Sequence, residues 1–349
     1  MPRGARACAR RTHIRPVQNT ETGRHASADR EENCKSFRDA EPRTGDQTLP
    51  DIDSTIFHSG LGEPEGPVLL GDGSWAVVEM SPETGQVSVI SPDGSSKRVV
   101  VKTGRPNGMV QDSEGALWVA ESVNPPSLLK VGLDGSSEIV LTEGDGAEFL
   151  FPNDLAFGPD GALYMTDSGV RQPVFQDVPV AERVAYPFEG KVFRIDLISM
   201  SVTILDDGLG FANGLAFGKD RALYVTTTAN GLLYRYEWNG DGTLGSPLGP
   251  RTEFADLVDR TQTAGFTGGD GLAVGEDGDL FCSVVGQGDV TVIDASGVVA
   301  RRIPVGGIQP TNVAFGRAGT GDIYVTVKDA GTLERYHVGV DGLPLLPSA

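Results

Sequence analysis

Hydrophobic and polar positions along this chain alternate in short apolar strands separated by Gly- and Asp-rich turns, and the pattern repeats. Pro152-Asn-Asp-Leu-Ala-Phe-Gly-Pro-Asp-Gly-Ala-Leu-Tyr-Met-Thr returns later as Ala212-Asn-Gly-Leu-Ala-Phe-Gly-Lys-Asp-Arg-Ala-Leu-Tyr-Val-Thr. Related segments open at Glu65, Pro106, Gly269 and Thr311. Each holds a polar anchor, a short apolar strand, a turn and a second strand. The anchors Glu65, Asn107, Asn153, Asn213, Asp270 and Asn312 are 42, 46, 60, 57 and 42 residues apart. A four-stranded propeller blade uses about 40 residues, so the repeat predicts an all-β, six-bladed β-propeller with a central channel. Alternating runs beginning at Gln86, Leu128, Lys191, Leu232 and Val290 supply third strands. The Trp-Asp signature of one large propeller class is absent, since the three Trp precede Ala76, Val119 and Asn239.

The two long spacings mark insertions. Residues 170–190 carry three Pro and three aromatics with neither helical nor strand period. Aromatics argue against a merely solvated loop, so this segment is expected to form a partial lid over the channel. Residues 1–47, with five Arg before the first acid at Glu21 and few bulky apolar side chains, are expected to be a disordered tail ahead of a propeller spanning 48–349. An organelle transit peptide is the weaker reading of that tail, because acids are plentiful from residue 21.

Composition narrows the partners. The chain carries 29 Lys and Arg against 48 Asp and Glu, and residues 1–50 hold ten and seven of these. The remainder therefore carries a net charge of −22, a poor match for nucleic acid or an anionic membrane. Cys8, Cys34 and Cys282 supply neither a disulfide framework nor a metal-ligand spacing, and a reducing compartment follows as the default. No apolar run reaches the roughly 18 residues of a membrane span and no apolar segment follows the N-terminus, so a cytoplasmic location is expected. Oligomeric state leaves no signature in the sequence.

In a propeller the innermost strand of every blade runs along the central axis, so equivalent residues at its start form a ring at one mouth of the channel. Here that ring reads Glu, Asn, Asn, Asn, Asp, Asn, all oxygen donors. Oxygen-only sites select hard cations, and Ca²⁺ tolerates irregular geometry better than Mg²⁺. One divalent metal, Ca²⁺ first with Mg²⁺, Mn²⁺ and Zn²⁺ as alternatives, is expected there. An isolated Asn ahead of a strand more often forms a local side-chain-to-backbone turn. A Glu and an Asp among otherwise Asn positions are harder to explain as turn formers alone.

With those motifs in view, the chain resembles the SMP-30/gluconolactonase/luciferin-regenerating-enzyme family, and within it the lactonases related to drug-responsive protein 35. The resemblance covers about residues 51–340 and rests on Glu65-Gly-Pro, Pro152-Asn-Asp, Ala212-Asn-Gly-Leu and Gly269-Asp-Gly-Leu in that order, with Tyr164-Met-Thr-Asp-Ser. It implies a single-metal hydrolase of small lactones with Glu65, Asn213 and Asp270 as metal ligands and Asn153 as a ligand or substrate contact. It further implies Asp270 as the catalytic base, with Asn153 beside it, and Asp154 as the group that orients the Asn153 amide. Asn107, Asp167, Arg171 and Tyr186 are further candidates for substrate contact at the mouth. Glu121, Arg183, Phe175 and Phe188 fall in the same region.

Competing readings remain. Arylesterase-type and phosphofluoridate-hydrolysing propellers are also similar but carry channel His, whereas the four His here are His13, His25, His58 and His337, outside every motif. No Gly-x-Ser-x-Gly elbow supports a Ser nucleophile. A phosphotriester or aryl-ester hydrolase on the same ring, a strictosidine-synthase-like scaffold and a non-catalytic binding propeller are the alternatives.

Overall fold

In the computed structural model, residues 52–240, 246–263 and 265–346 are described; the expected tail at 1–47 lies outside them. Six four-stranded antiparallel sheets follow one another along the chain. Their innermost strands are Pro64–Leu69, Pro106–Gln111, Pro152–Phe157, Ala212–Phe217, Gly268–Val274 and Pro310–Phe315. Each of these strands packs against the innermost strands of the preceding and following blades, and the last returns to the first, so the ring is closed. This is the six-bladed propeller that the anchor spacing predicts, and the runs expected to be third strands are third strands.

Closure uses an element with no repeat signature. Ser54–Ser59 pairs with Thr332–His337 as the outermost strand of blade 6, whose other three strands come from the C-terminal end. His58 therefore sits on an outer strand, where its Nδ1 lies 2.8 Å from the Gly94 carbonyl, and His337 pairs with Asp322 on a neighbouring strand.

Burial follows strand position. The second strands, such as Trp75–Glu79, Leu117–Glu121 and Leu163–Asp167, are buried along their whole length because a blade covers each face. The fourth strands alternate or face solvent. Core clusters lie between blades: Val78 and Val87 meet Met109 and Val119, Trp118 and Leu128 meet Leu155 and Phe193, and the series continues to Leu333 against Trp75 and Ile90. Asp in the outer turns folds back on backbone N–H groups, as at Asp72 onto Ser74 and Asp134 onto Ser136.

A short hairpin, Glu143–Gly144 with Ala147–Glu148, joins blades 2 and 3. The insertion at 170–190 has more order than its sequence suggests: Gln172–Asp177 is a short α-helix and Val180–Ala185 a 3₁₀-helix. Pro in the first turn of the helix explains why a Pro-bearing segment tolerates that turn. No helix among the described residues is long and apolar enough to cross a membrane.

Candidate metal centre at the channel mouth

Every innermost strand breaks its pairing register next to its anchor: at or just after it in blades 1 to 5, for example between Glu65 and Val68, Ala212 and Leu215, and Gly269 and Leu272, and just before it, between Pro310 and Asn312, in blade 6. A bulge of this kind turns a side chain out of the ordinary alternation. Glu65 meets Asn312 of the last blade, and Asp270 lies in the field of Glu65. Glu65, Asn107, Asn153, Asn213 and Asn312 are buried, while Asp270 keeps partial access to solvent.

The residue after each anchor explains how tightly the strands approach. A Cβ on Gly108 would lie 2.2 Å from Asp154 Oδ1, one on Gly214 2.4 Å from the Asp270 carbonyl, and one on Gly271 2.0 Å from Asn312 Cγ. Glycine is required there by contact with the next blade, so these Asn-Gly and Asp-Gly pairs are not turns. Asp154 occupies the corresponding position in blade 3 and puts a carboxyl where blades 1, 2, 4 and 5 have hydrogen; blade 6 has Val313 there.

Hydroxyls fix the amides. Asn153 Nδ2 donates to Ser168 Oγ at 2.9 Å, and Asn213 Nδ2 donates to Thr228 Oγ1 at 3.0 Å. Ser168 and Thr228 donate in turn to the carbonyls of Ala212 and Gly269 on the following blades, at 3.0 and 2.9 Å. With its nitrogen on Thr228, Asn213 leaves Oδ1 buried without a donor. The hydrogen bond to the Asn153 amide comes from Ser168, while Asp154, expected to orient that amide, accepts the Leu155 N–H through Oδ1 at 2.9 Å. The hydroxyl bridges were legible only as the Tyr164-Met-Thr-Asp-Ser phrase, whose last residue is Ser168.

Electrostatically the site is an acid pair held by a third acid. Burial pushes Glu65 well above the usual carboxylate range, and the charges of Asp154 and Asp270 push it further. Burial lifts Asp154 to about 7. Burial and then Asp154 lift Asp270 to about 8, against the opposing pull of Lys328, Asn213 and Arg105. Glu65 Oε1 accepts Asn312 Nδ2 at 2.7 Å, but Glu65 Oε2 and Asn213 Oδ1 are buried without any donor. Buried acceptors cost free energy unless something positive meets them, and a hard cation fits that donor set. No group of three or more Asp, Glu, His or Cys side chains close enough to hold an ion occurs among the described residues; a cation there would need the amide oxygens as well.

Of the substrate candidates, Asn107 is buried on the ring and Tyr186 packs against Phe188, 4.9 Å between ring centroids. Asp167 and Arg171 each have partners within the chain. Asp167 Oδ2 accepts the Leu150 and Phe151 N–H groups and Oδ1 accepts that of Gly169, so it clamps backbone. Arg171 forms an exposed ion pair with Glu148 at 2.6 Å.

Sequence reading missed Arg105. It lies two residues ahead of Asn107, its Cζ is 5.2 Å from the centre of the Phe151 ring, and its Nη1 is buried without a partner. Burial lowers its pKa while Glu63, Glu121, Asp270 and Glu65 oppose that shift, which puts the guanidinium in the field of the ring. Glu121 Oε1 accepts the Arg105 N–H at 2.7 Å, and its Oε2 is unpaired. An Arg two residues before an anchor is the signal that was available.

Comparison with known proteins follows the same lines. The family model described as SMP-30/Gluconolactonase/LRE-like region matches residues 127–329. A gluconolactonase of Zymomonas mobilis is 26% identical over 282 residues, 76% of each chain. Two further relatives match shorter stretches: strictosidine synthase-like 10 of Arabidopsis thaliana is 35% identical over 37% of this chain and 35% of its own, and the pentonolactonase XacC of Haloferax volcanii is 33% identical over 39% and 44%. Among solved structures, a Xanthomonas campestris gluconolactonase superposes with a TM-score of 0.67 at 22% identity, covering 84% of this chain and 91% of its own. The calcium-binding protein regucalcin of Agrobacterium tumefaciens gives 0.64 at 17% identity, covering 85% and 97%.

Proposed function

As the chain belongs to the SMP-30/gluconolactonase/LRE-like family, we propose that it is a lactonase, opening a small lactone ring with one divalent cation held by Glu65, Asn153, Asn213 and Asp270. Ca²⁺ is the preferred ion, since every donor is oxygen and the ring is irregular. The carrying observation is the pair of donorless buried oxygens, Glu65 Oε2 and Asn213 Oδ1, in a ring without His or Cys. Relatives named gluconolactonase and pentonolactonase support the substrate class, and a calcium-binding structural neighbour supports the ion.

A bound cation supplies Lewis-acid polarisation of the lactone carbonyl and counter-charge for the developing oxyanion. The chain's own groups do the rest. Asp270 accepts a proton from the water that adds to the carbonyl carbon. The ring C–O bond then breaks and the departing oxygen takes that proton, leaving a hydroxy acid. Asn153 and Asn213, whose nitrogens are held by Ser168 and Thr228, would offer their oxygens to the cation. Arg105 offers its unpaired nitrogen to the carboxylate of the product.

The test is a panel of lactones, esters and phosphotriesters assayed after chelation and again with Ca²⁺, Mg²⁺, Mn²⁺ or Zn²⁺ restored. Metal-dependent lactone hydrolysis is expected. Full metal occupancy with no lactone cleaved, alongside good phosphotriester hydrolysis, would assign the other branch.

A further inference from the structure

The mouth of the channel is chemically divided. Immediately ahead of the anchors, blades 1 and 2 place Glu63 and Arg105, and blade 6 adds Lys328, which lies 3.5 Å from Glu63. Blades 3 and 4 place Phe151 and Phe211 at the equivalent positions, and Phe266 precedes the blade 5 strand. These three join Phe175, Tyr186 and Phe188 of the 170–190 insertion in one aromatic cluster. Phe175 ties the insertion to three blades: its ring centroid lies 4.9 Å from Phe211, 5.5 Å from Phe266 and 6.3 Å from Phe151. Phe175 and Phe188 anchor the insertion on Phe211 and Phe266, and within the insertion Arg183 covers Phe175 at 4.2 Å while its Nε donates to the Val178 carbonyl at 3.1 Å.

Phe151, Phe188 and Phe211 are buried, but Phe175, Tyr186 and Phe266 keep part of their surface open. The cluster therefore presents an apolar face at the mouth. Arg105 stacks on Phe151 and feels Asp270 and Glu65, so it joins the aromatic wall to the acid ring.

We propose that the part of the substrate that does not react is apolar: an alkyl- or aryl-substituted lactone rather than a polyhydroxylated sugar lactone. The proposal rests on the lactonase reading and adds the substrate class. The carboxyl end of such a molecule faces Arg105 and the ring, and its hydrocarbon end covers the phenyl rings, removing apolar surface from water. A sugar lactone in the same pose turns hydroxyls against Phe175 and Phe266, which offer them no hydrogen-bond partner.

The experiment compares kcat/KM of the Ca²⁺-loaded full chain for δ-valerolactone, its 5-pentyl derivative and glucono-δ-lactone. It also measures binding of the 5-pentyl δ-lactam, a non-hydrolysed stand-in, by calorimetry. The pentyl lactone is expected to lead both others by at least about 10-fold. Phe175→Ala and Phe266→Ala should each reduce the pentyl-to-valerolactone ratio by about 10-fold and weaken lactam binding similarly. Phe175→Leu, which keeps apolar volume, should restore most of the ratio. Preference for glucono-δ-lactone, or equal losses on all substrates in the Phe variants, overturns the inference. Absence of all lactone turnover with Phe175-dependent lactam binding would instead remove the lactonase reading and leave the apolar site standing. Absence of lactam binding together with no pentyl preference removes the apolar site.

Discussion

Asn312 Nδ2 donates to Glu65 Oε1 at 2.7 Å, joining the last innermost strand to the first across 247 residues of sequence. It is the hydrogen bond that holds Glu65 in place while its second oxygen stays without a donor. Asn312 also positions itself, since its Oδ1 accepts the Val313 N–H at 2.8 Å.

Replacing Asn312 with Leu should therefore weaken cation binding by roughly 10–100-fold, the usual worth of a hydrogen bond to a charged group. Isothermal titration with Ca²⁺ reads the loss directly. Unchanged affinity would mean that Glu65 is oriented by something else.

Ser168→Ala and Thr228→Ala free the amides of Asn153 and Asn213 to rotate. Each should cost about 1 kcal/mol of stability and about 10–100-fold in cation affinity, as loss of a group that orients a ligand does. The comparison is between chemical denaturation and metal titration. A stability loss with no change in affinity would leave the hydroxyls as bridges between blades alone.

Removing the cation should make stability depend on pH in an unusual direction. Asp154 at about 7 and Asp270 at about 8 hold protons in the folded state that an unfolded chain has released above about pH 4. The folded state then binds more protons, so stability falls as pH rises from about 4 through 8. Melting of the chelated protein should follow this slope, and saturating Ca²⁺ should flatten it by meeting the same charges. Asp154→Asn removes one of the titrating groups and should reduce the slope without any metal.

Asp167→Ala should behave as a folding mutation. Three backbone N–H groups lose their acceptor, a cost of about 3 kcal/mol or more. Substrate preference at a temperature where the variant remains folded should match the parent. A changed KM with intact stability would return Asp167 to the substrate site.

The sequence by itself determined the blade count, the identity of all six anchors and the oxygen-only character of the ring, because each blade is a local unit and its spacing is written in about 40 consecutive residues. It also marked residues 170–190 as aromatic and atypical. Folding in three dimensions was needed to see that Ser54–Ser59 closes blade 6, that Ser168 bonds the Asn153 amide, that Asp167 accepts backbone N–H groups, and that Arg105 stacks on Phe151. Those outcomes depend on bulges at the anchors and on how closely neighbouring blades approach at Gly108, Gly214 and Gly271. A side chain's direction across such a contact is set by groups from another blade, often 40 or more residues away, and leaves no mark in the local pattern from which the blades were read.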